Sequence, residues 1–263
     1  MATVADILSY LDTLAPPHMK MDWDNTGLLC GSKKQVVNKI LVALDPFECV
    51  CREAAKLEAQ LLVTHHPLIF RPIKSITDDN EVGRCIQILC ENHISAINAH
   101  TNLDCAPGGV NDRLAKKLGL SDIQVISPTG TDLYGRPWGL LRMGTIEHQP
   151  LETFLAQVKT QLQCHGIRYV NAGKQVSKVA VGGGACASEL ADAFRAGCDT
   201  FVTSDVKYNQ FFDAKSMGIN LIDAGHYQTE NPIMHLLAQK LKDAFPEVQI
   251  VISQEHQDCM KFY

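Results

Sequence analysis

Lys39-Ile40-Leu41-Val42-Ala43-Leu44 and Gln60-Leu61-Leu62-Val63-Thr64 are two short apolar runs, separated by an amphipathic stretch around Arg52-Glu53-Ala54-Ala55-Lys56-Leu57. A continuous apolar run of this length suits a strand buried on both faces, and the order run, helix, run is that of a parallel βαβ unit. The same arrangement recurs downstream. Lys178-Val179-Ala180-Val181 opens a run, Leu190-Ala191-Asp192-Ala193-Phe194-Arg195 supplies the amphipathic stretch, and Thr203 closes the partner run. The interval from Lys178 to Thr203 equals that from Lys39 to Thr64. Short apolar runs alternate with helical patterns along nearly the whole chain, which makes it an α/β protein.

Working outward from these runs, strands are expected at 39–45, 60–64, 94–98, 123–126, 139–144, 178–181, 199–203, 219–222 and 248–252. Helices are expected at 47–58, 81–92, 107–118, 151–163, 186–196, 207–217 and 229–244. In the register of the repeat, His65-His66 matches Ser204-Asp205. Ile97-Asn98-Ala99-His100 with Asp104 matches Ile222-Asp223-Ala224-Gly225-His226 with Glu230, given one inserted residue. An internal duplication is therefore expected, with a first unit over 1–126, a second over 127–220, and a C-terminal segment, 221–263, that packs back on the first.

The histidines and carboxylates of the repeat carry the functional signal. His65-His66 closes a buried-type strand, and loops after strand C-termini are where parallel α/β sheets bind ligands. Taken alone, the dipeptide reads as one core and one exposed histidine. His100 and Asp104 form a His-x3-acid pair, as do His226 and Glu230, and that spacing puts both side chains on one helix face. Six such groups exceed what one tetrahedral ion needs, so a two-metal centre is expected, built once from both halves. Gly108-Gly109 and Gly182-Gly183-Gly184 stand at strand-to-helix junctions, where they suit either an anion-binding turn or close packing.

Composition limits the alternatives. The 263 residues carry a formal net charge of −5, which leaves no global basic field for nucleic acid, though a local patch is compatible with it. Ten cysteines are scattered without a CxxC pair, which fits reduced thiols in a reducing compartment. Val4, Ile7, Leu8, Leu11 and Leu14 repeat at helical spacing behind a Thr3/Asp6 capping box, and Pro16-Pro17 ends that helix. The first Lys or Arg is Lys20, so no presequence is expected, and no apolar run approaches membrane-spanning length. A cytoplasmic protein is expected.

The motifs Trp23-Asp24-Asn25-Thr26-Gly27-Leu28-Leu29-Cys30-Gly31, Val63-Thr64-His65-His66-Pro67-Leu68, Ala99-His100-Thr101-Asn102-Leu103-Asp104, Gly108-Gly109-Val110-Asn111-Asp112 and Asp223-Ala224-Gly225-His226-Tyr227-Gln228-Thr229-Glu230 together resemble the GTP cyclohydrolase 1 type 2 homolog family, also described as NGG-interacting-factor-like proteins. The resemblance spans nearly the whole chain. It implies two intertwined α/β units with mixed sheets in a toroidal homohexamer, and a dinuclear metal site facing the ring interior. The ligands it implies are His65, His66, Asp104, His226 and Glu230, with Glu230 as the bridge and His100 as a ligand or a group behind one.

The resemblance also implies that a chain near the family's minimal length is expected without the central domain of longer members. The chain departs from the family at Ser204-Asp205-Val206-Lys207-Tyr208-Asn209, where relatives often read Gly-Asp-x-Lys-Tyr-His. Asn209 cannot act as a general base near neutral pH.

Two functions follow from this reading. One is a metal-dependent hydrolase holding two divalent ions per subunit (Zn, Mn, Fe or Co). It would act on a phosphoester, a nucleotide or a cyclic C–N bond, with His100 and Glu230 in the catalytic roles and Lys207 or Arg71 meeting a small anionic substrate. The other is a non-catalytic metal-binding scaffold.

Overall fold

The computed structural model describes residues 1–263, which form two compact units. The first unit takes Met1–Leu103 and Met234–Asp258, the second Asp104–Ile233 and Cys259–Tyr263. These boundaries differ from the expected ones at 126 and 220. Residues 104–126 join the second unit because Leu114, Ala115, Leu118 and Leu120 complete the core of Phe154, Val158, Val176 and Val179. The C-terminal return begins at Met234. The strand before it, Asn220–Asp223, is paired inside the sheet of the second unit.

The first unit is built on a five-stranded sheet in the order Gly27–Cys30, Ser95–Asn98, Leu61–Thr64, Lys39–Ala43 and Gln249–Ile252. The last four are mutually parallel, and Gly27–Cys30 runs antiparallel at one edge. Parallel strands are buried on both faces, which accounts for their unbroken apolar runs. Helices Glu48–Lys56 and Glu81–Glu91 contribute Val50, Cys51, Ala54, Cys85, Ile86 and Leu89 to a core with Leu41, Leu62 and Ala96. Helix Val4–Leu14 carries the capping box read from Thr3 and Asp6 and buries Val4, Ile7 and Leu11.

The C-terminal strand is held by more than its ladder. Glu53, buried on helix Glu48–Lys56, accepts the Ser253 hydroxyl and the backbone N–H of Gln254 at 2.9 Å. A buried carboxylate needs such donors to offset its desolvation.

The second unit carries a six-stranded mixed sheet in the order Ser121–Ile126, Leu141–Gln149, Val176–Val181, Thr200–Thr203, Asn220–Asp223 and Arg168–Val170. Val176–Val181, Thr200–Thr203 and Asn220–Asp223 run parallel, and the other three are antiparallel to their neighbours. Arg142, 1% exposed, is held by Asp112 at 2.8 Å and donates to the carbonyls of Gly139, Cys105 and Ala106.

Several elements depart from expectation. The strand expected at 139–144 is Leu141–Gln149, because pairing on both sides extends it past its apolar run. The helix expected at 229–244 is two, His226–Glu230 and Pro232–Ala244, with proline at the first position of the second. Gly27–Cys30 and Arg168–Val170 are short edge strands without a buried apolar run.

Candidate metal centre

In the first unit the parallel strands end along one edge, and the loops that follow them carry the site. His65-His66 follows Leu61–Thr64, His100 follows Ser95–Asn98, and Asp45 follows Lys39–Ala43. This common direction gathers residues far apart in sequence. The ring centroids of His65, His66 and His100 are 4.9, 5.2 and 5.4 Å apart, with one ring nitrogen from each within 4.8 Å of the others.

Each imidazole is fixed through Nδ1. His65 Nδ1 meets the Ala99 carbonyl at 2.9 Å, His66 Nδ1 meets Asp45 Oδ1 at 2.6 Å, and His100 Nδ1 meets Asp24 Oδ1 at 2.8 Å. An Nδ1–H that donates to an oxygen places the lone pair on Nε2, which is how metal-binding histidines are oriented. The acceptors are themselves held. Asp24 Oδ2 accepts the backbone N–H of Thr101 at 3.1 Å and its hydroxyl at 2.5 Å. Asp45 Oδ2 meets His256 Nε2 at 2.8 Å, and the His256 ring stacks on Phe47.

Burial raises the Asp24 carboxyl, but the hydrogen bonds from His100 and Thr101 outweigh it and hold the group at about 2. Burial likewise opposes ionisation of Asp45, and His256 and His66 together hold it well below the usual carboxylate range. Both carboxylates are therefore anions at any ordinary pH. Exposed Trp23 and Phe70 stand edge-on to the His100 ring.

In the second unit, Gly225 at φ +91° turns the chain into the short helix His226–Glu230. One helical turn brings His226 Nε2 to 3.0 Å from Glu230 Oε2, and Asp205 Oδ2 holds Nδ1 at 2.7 Å. Burial lowers the His226 imidazolium, but Asp205 and Glu230 dominate and push it up to about 11. A carboxylate oxygen of Asp104 lies within 4.8 Å of one from Glu230. Both charges, after burial, raise the Cys186 thiol well above its usual value.

Gly182-Gly183-Gly184 packs closely against its neighbours. A Cβ on Gly184, whose φ is +63°, would stand 2.1 Å from Glu230 Oε1 and 3.1 Å from His226 Nε2. The backbone N–H groups of this turn donate to Asn111 Oδ1 and Thr229 Oγ1. Lys207, Asn209 and Arg71 are exposed, and Asn209 sits in the first turn of helix Tyr208–Met217.

Among the sequence-predicted residues, His65, His66 and His100 gather in the first unit, and Asp104, His226 and Glu230 belong to the second. The groups behind them, Asp24, Asp45, Asp205 and His256, were not singled out as site residues. Asp24 and Asp45 lie in a quoted motif and at a strand end, signals that could have found them. Nothing local marks His256, whose role depends on the C-terminal strand returning beside Lys39–Ala43.

The imidazole and carboxylate donors, without thiolate, suit a borderline divalent ion such as Zn²⁺, Mn²⁺, Fe²⁺ or Co²⁺. A family model described as Duf34/NIF3 (NGG1p interacting factor 3) matches residues 2–259. A Clostridium perfringens protein named GTP cyclohydrolase 1 type 2 homolog is 33% identical over 98% of both chains. Two solved structures superpose over nearly the whole chain. A Bacillus cereus protein related to NIF3 has a TM-score of 0.93 at 27% identity, covering 100% of this chain and 99% of its own. A Staphylococcus aureus protein has a TM-score of 0.91 at 28% identity with the same coverage.

Proposed function

The chain belongs to the Duf34/NIF3 family, and on that premise we propose that it is a dinuclear metal protein with hydrolase chemistry. The proposed ligands of two divalent ions per subunit are His65, His66, Asp104, His226 and Glu230, with Glu230 bridging and His100 beside them. The observation that carries this reading is the set of three imidazoles locked through Nδ1, each with its lone pair on Nε2. Neutral imidazoles alone leave two dications uncompensated, and the buried Asp104 and Glu230 supply the anionic donors. The repeated His-x3-acid pairs further support an origin by duplication.

When bound, such a pair of ions lowers the pKa of a water and stabilises negative charge on an attacked phosphoryl or carbon centre. The chain's own residues do the rest. Asp24 fixes the His100 ring through Nδ1, which leaves the Nε2 lone pair to accept a proton and return it. Glu230 holds its carboxylate against the glycine turn at Gly183-Gly184. The substrates proposed are a phosphoester, a nucleotide or a cyclic C–N bond. The relatives' cyclohydrolase name agrees with the last of these.

The test is hydrolysis of a phosphoester and nucleotide panel by metal-loaded protein, beside Glu230→Gln. Turnover that Glu230→Gln abolishes supports the reading. Inactivity of both proteins across the panel contradicts it. A second reading, a metal-binding scaffold without turnover, is favoured by exposed Asn209, at the position where the family pattern it resembles often has a histidine. We also propose a cytoplasmic homohexamer, to be checked by native mass spectrometry of the intact protein. No helix is long and apolar enough to cross a membrane.

A further inference from the structure

Two of the ten free cysteines meet at the edge of the first unit. Cys30 ends the edge strand Gly27–Cys30, and Cys90 lies in the last turn of helix Glu81–Glu91. They are 60 positions apart in sequence, yet their Sγ atoms are 3.7 Å apart. Gly31 makes the approach feasible. Its φ is +97°, and a Cβ there would stand 2.1 Å from Ser95 Oγ, so only glycine lets the chain run this close to the neighbouring strand.

A cavity of about 380 Å³ opens beside the pair, lined also by Gln35, Leu89 and His93. Cys90 is exposed and Cys30 half-buried. Burial, then the adjacent Cys90, pushes the Cys30 thiol up to about 12, so exposed Cys90 is the thiol that meets the oxidant first.

We propose that Cys30 and Cys90 form a hydroperoxide-reactive dithiol, a modification site distinct from the candidate metal centre, in which exposed Cys90 is oxidised first and Cys30 closes the disulfide. The Cys90 thiolate attacks the terminal oxygen of a hydroperoxide. The O–O bond breaks, and the alkoxide leaves with the thiol's proton as an alcohol, or as water when the oxidant is hydrogen peroxide. Cys90 becomes a sulfenic acid, oxidised by the two electrons the peroxide gains. The Cys30 sulfur then attacks the Cys90 sulfur. The S–O bond breaks, and the hydroxyl leaves as water with the Cys30 proton. Two thiols and one hydroperoxide thus give one disulfide, one alcohol and one water. The closed bond would tie the edge strand to helix Glu81–Glu91, and that strand directly follows the Asp24 segment that orients His100.

The structure supplies an internal control. Cys51 and Cys85 belong to one core cluster and both are buried, so peroxide reaches neither.

The test treats the intact protein with hydrogen peroxide and maps its peptides without reduction. The expected product is an intramolecular Cys30–Cys90 disulfide, a loss of about 2 Da per chain, with Cys51 and Cys85 still thiols. In Cys30→Ser the sulfenic acid on Cys90 persists and is captured by dimedone, and in Cys90→Ser the Cys30 thiol stays reduced. Oxidation of wild-type Cys90 to sulfinic acid without a Cys30–Cys90 peptide would overturn the proposal. So would a disulfide between chains in place of the one within. Because the decisive map is made on the wild-type chain, a misfolded variant does not leave the question open.

Discussion

Single side chains decide how the imidazoles present themselves. Asp45 holds His66 with one oxygen and His256 with the other. In Asp45→Asn the amide can serve only one of these rings as acceptor, so the His66 ring loses its fixed orientation. Substitutions of this kind cost roughly 10–100-fold in metal affinity, and a competition titration against a chelator measures the loss. Gly184→Ala acts by a different route. Its new methyl would overlap the Glu230 carboxylate, so metal retention should fall while the unfolding midpoint of the metal-free protein moves less than retention does.

Asp24 gives a pH dependence whose sign is fixed by its low native pKa. Its carboxyl sits at about 2 in the folded chain against 3.8 for the free group. Its contribution is fully present above pH 4 and is lost as pH falls towards 2. It is worth on the order of 2 kcal/mol. In metal-free protein, Asp24→Asn should flatten the acid limb of a stability–pH curve in that window, and a curve of unchanged slope would contradict the assignment.

At the scale of elements, the legible strands were those with a physical reason to be apolar throughout. Lys39–Ala43, Leu61–Thr64 and Thr200–Thr203 are interior parallel strands, so nearly every position faces a helix or a core. Arg168–Val170 is an edge strand exposed over most of its length, and nothing in its composition distinguishes it from a loop. The break between His226–Glu230 and Pro232–Ala244 had a visible cause in Pro232, but which side of it Glu230 would fall on did not.

The Arg142–Asp112 pair was not legible at all. An arginine inside a strand reads as a solvent-facing position, whereas here it is buried and satisfies loop carbonyls. Removing one partner of a buried pair leaves an uncompensated charge, so Asp112→Ala should cost about 3–5 kcal/mol in urea unfolding. Replacing the pair together with apolar residues should cost much less.

On the scale of the whole molecule, the candidate site was more readable than the unit boundaries. Ligand-type residues announce themselves by chemistry and by their place at strand ends. Boundaries depend on which core an amphipathic helix joins, and Leu114, Ala115 and Leu118 carry no label saying which sheet they face. The supporting groups fell between these cases. Asp24 and Asp45 sit near recognisable motifs, while His256 needed the C-terminal strand to be placed beside the first.

The proposal at the centre is that five residues scattered along the chain, with His100 beside them, hold a pair of divalent ions. Elemental analysis joined to native mass spectrometry tests it directly, after reconstitution with a divalent metal and removal of unbound ions. Two ions per wild-type chain are expected, with a sharp loss in Glu230→Gln and in His65→Ala. Wild-type protein that retains no more metal than those two variants would contradict it.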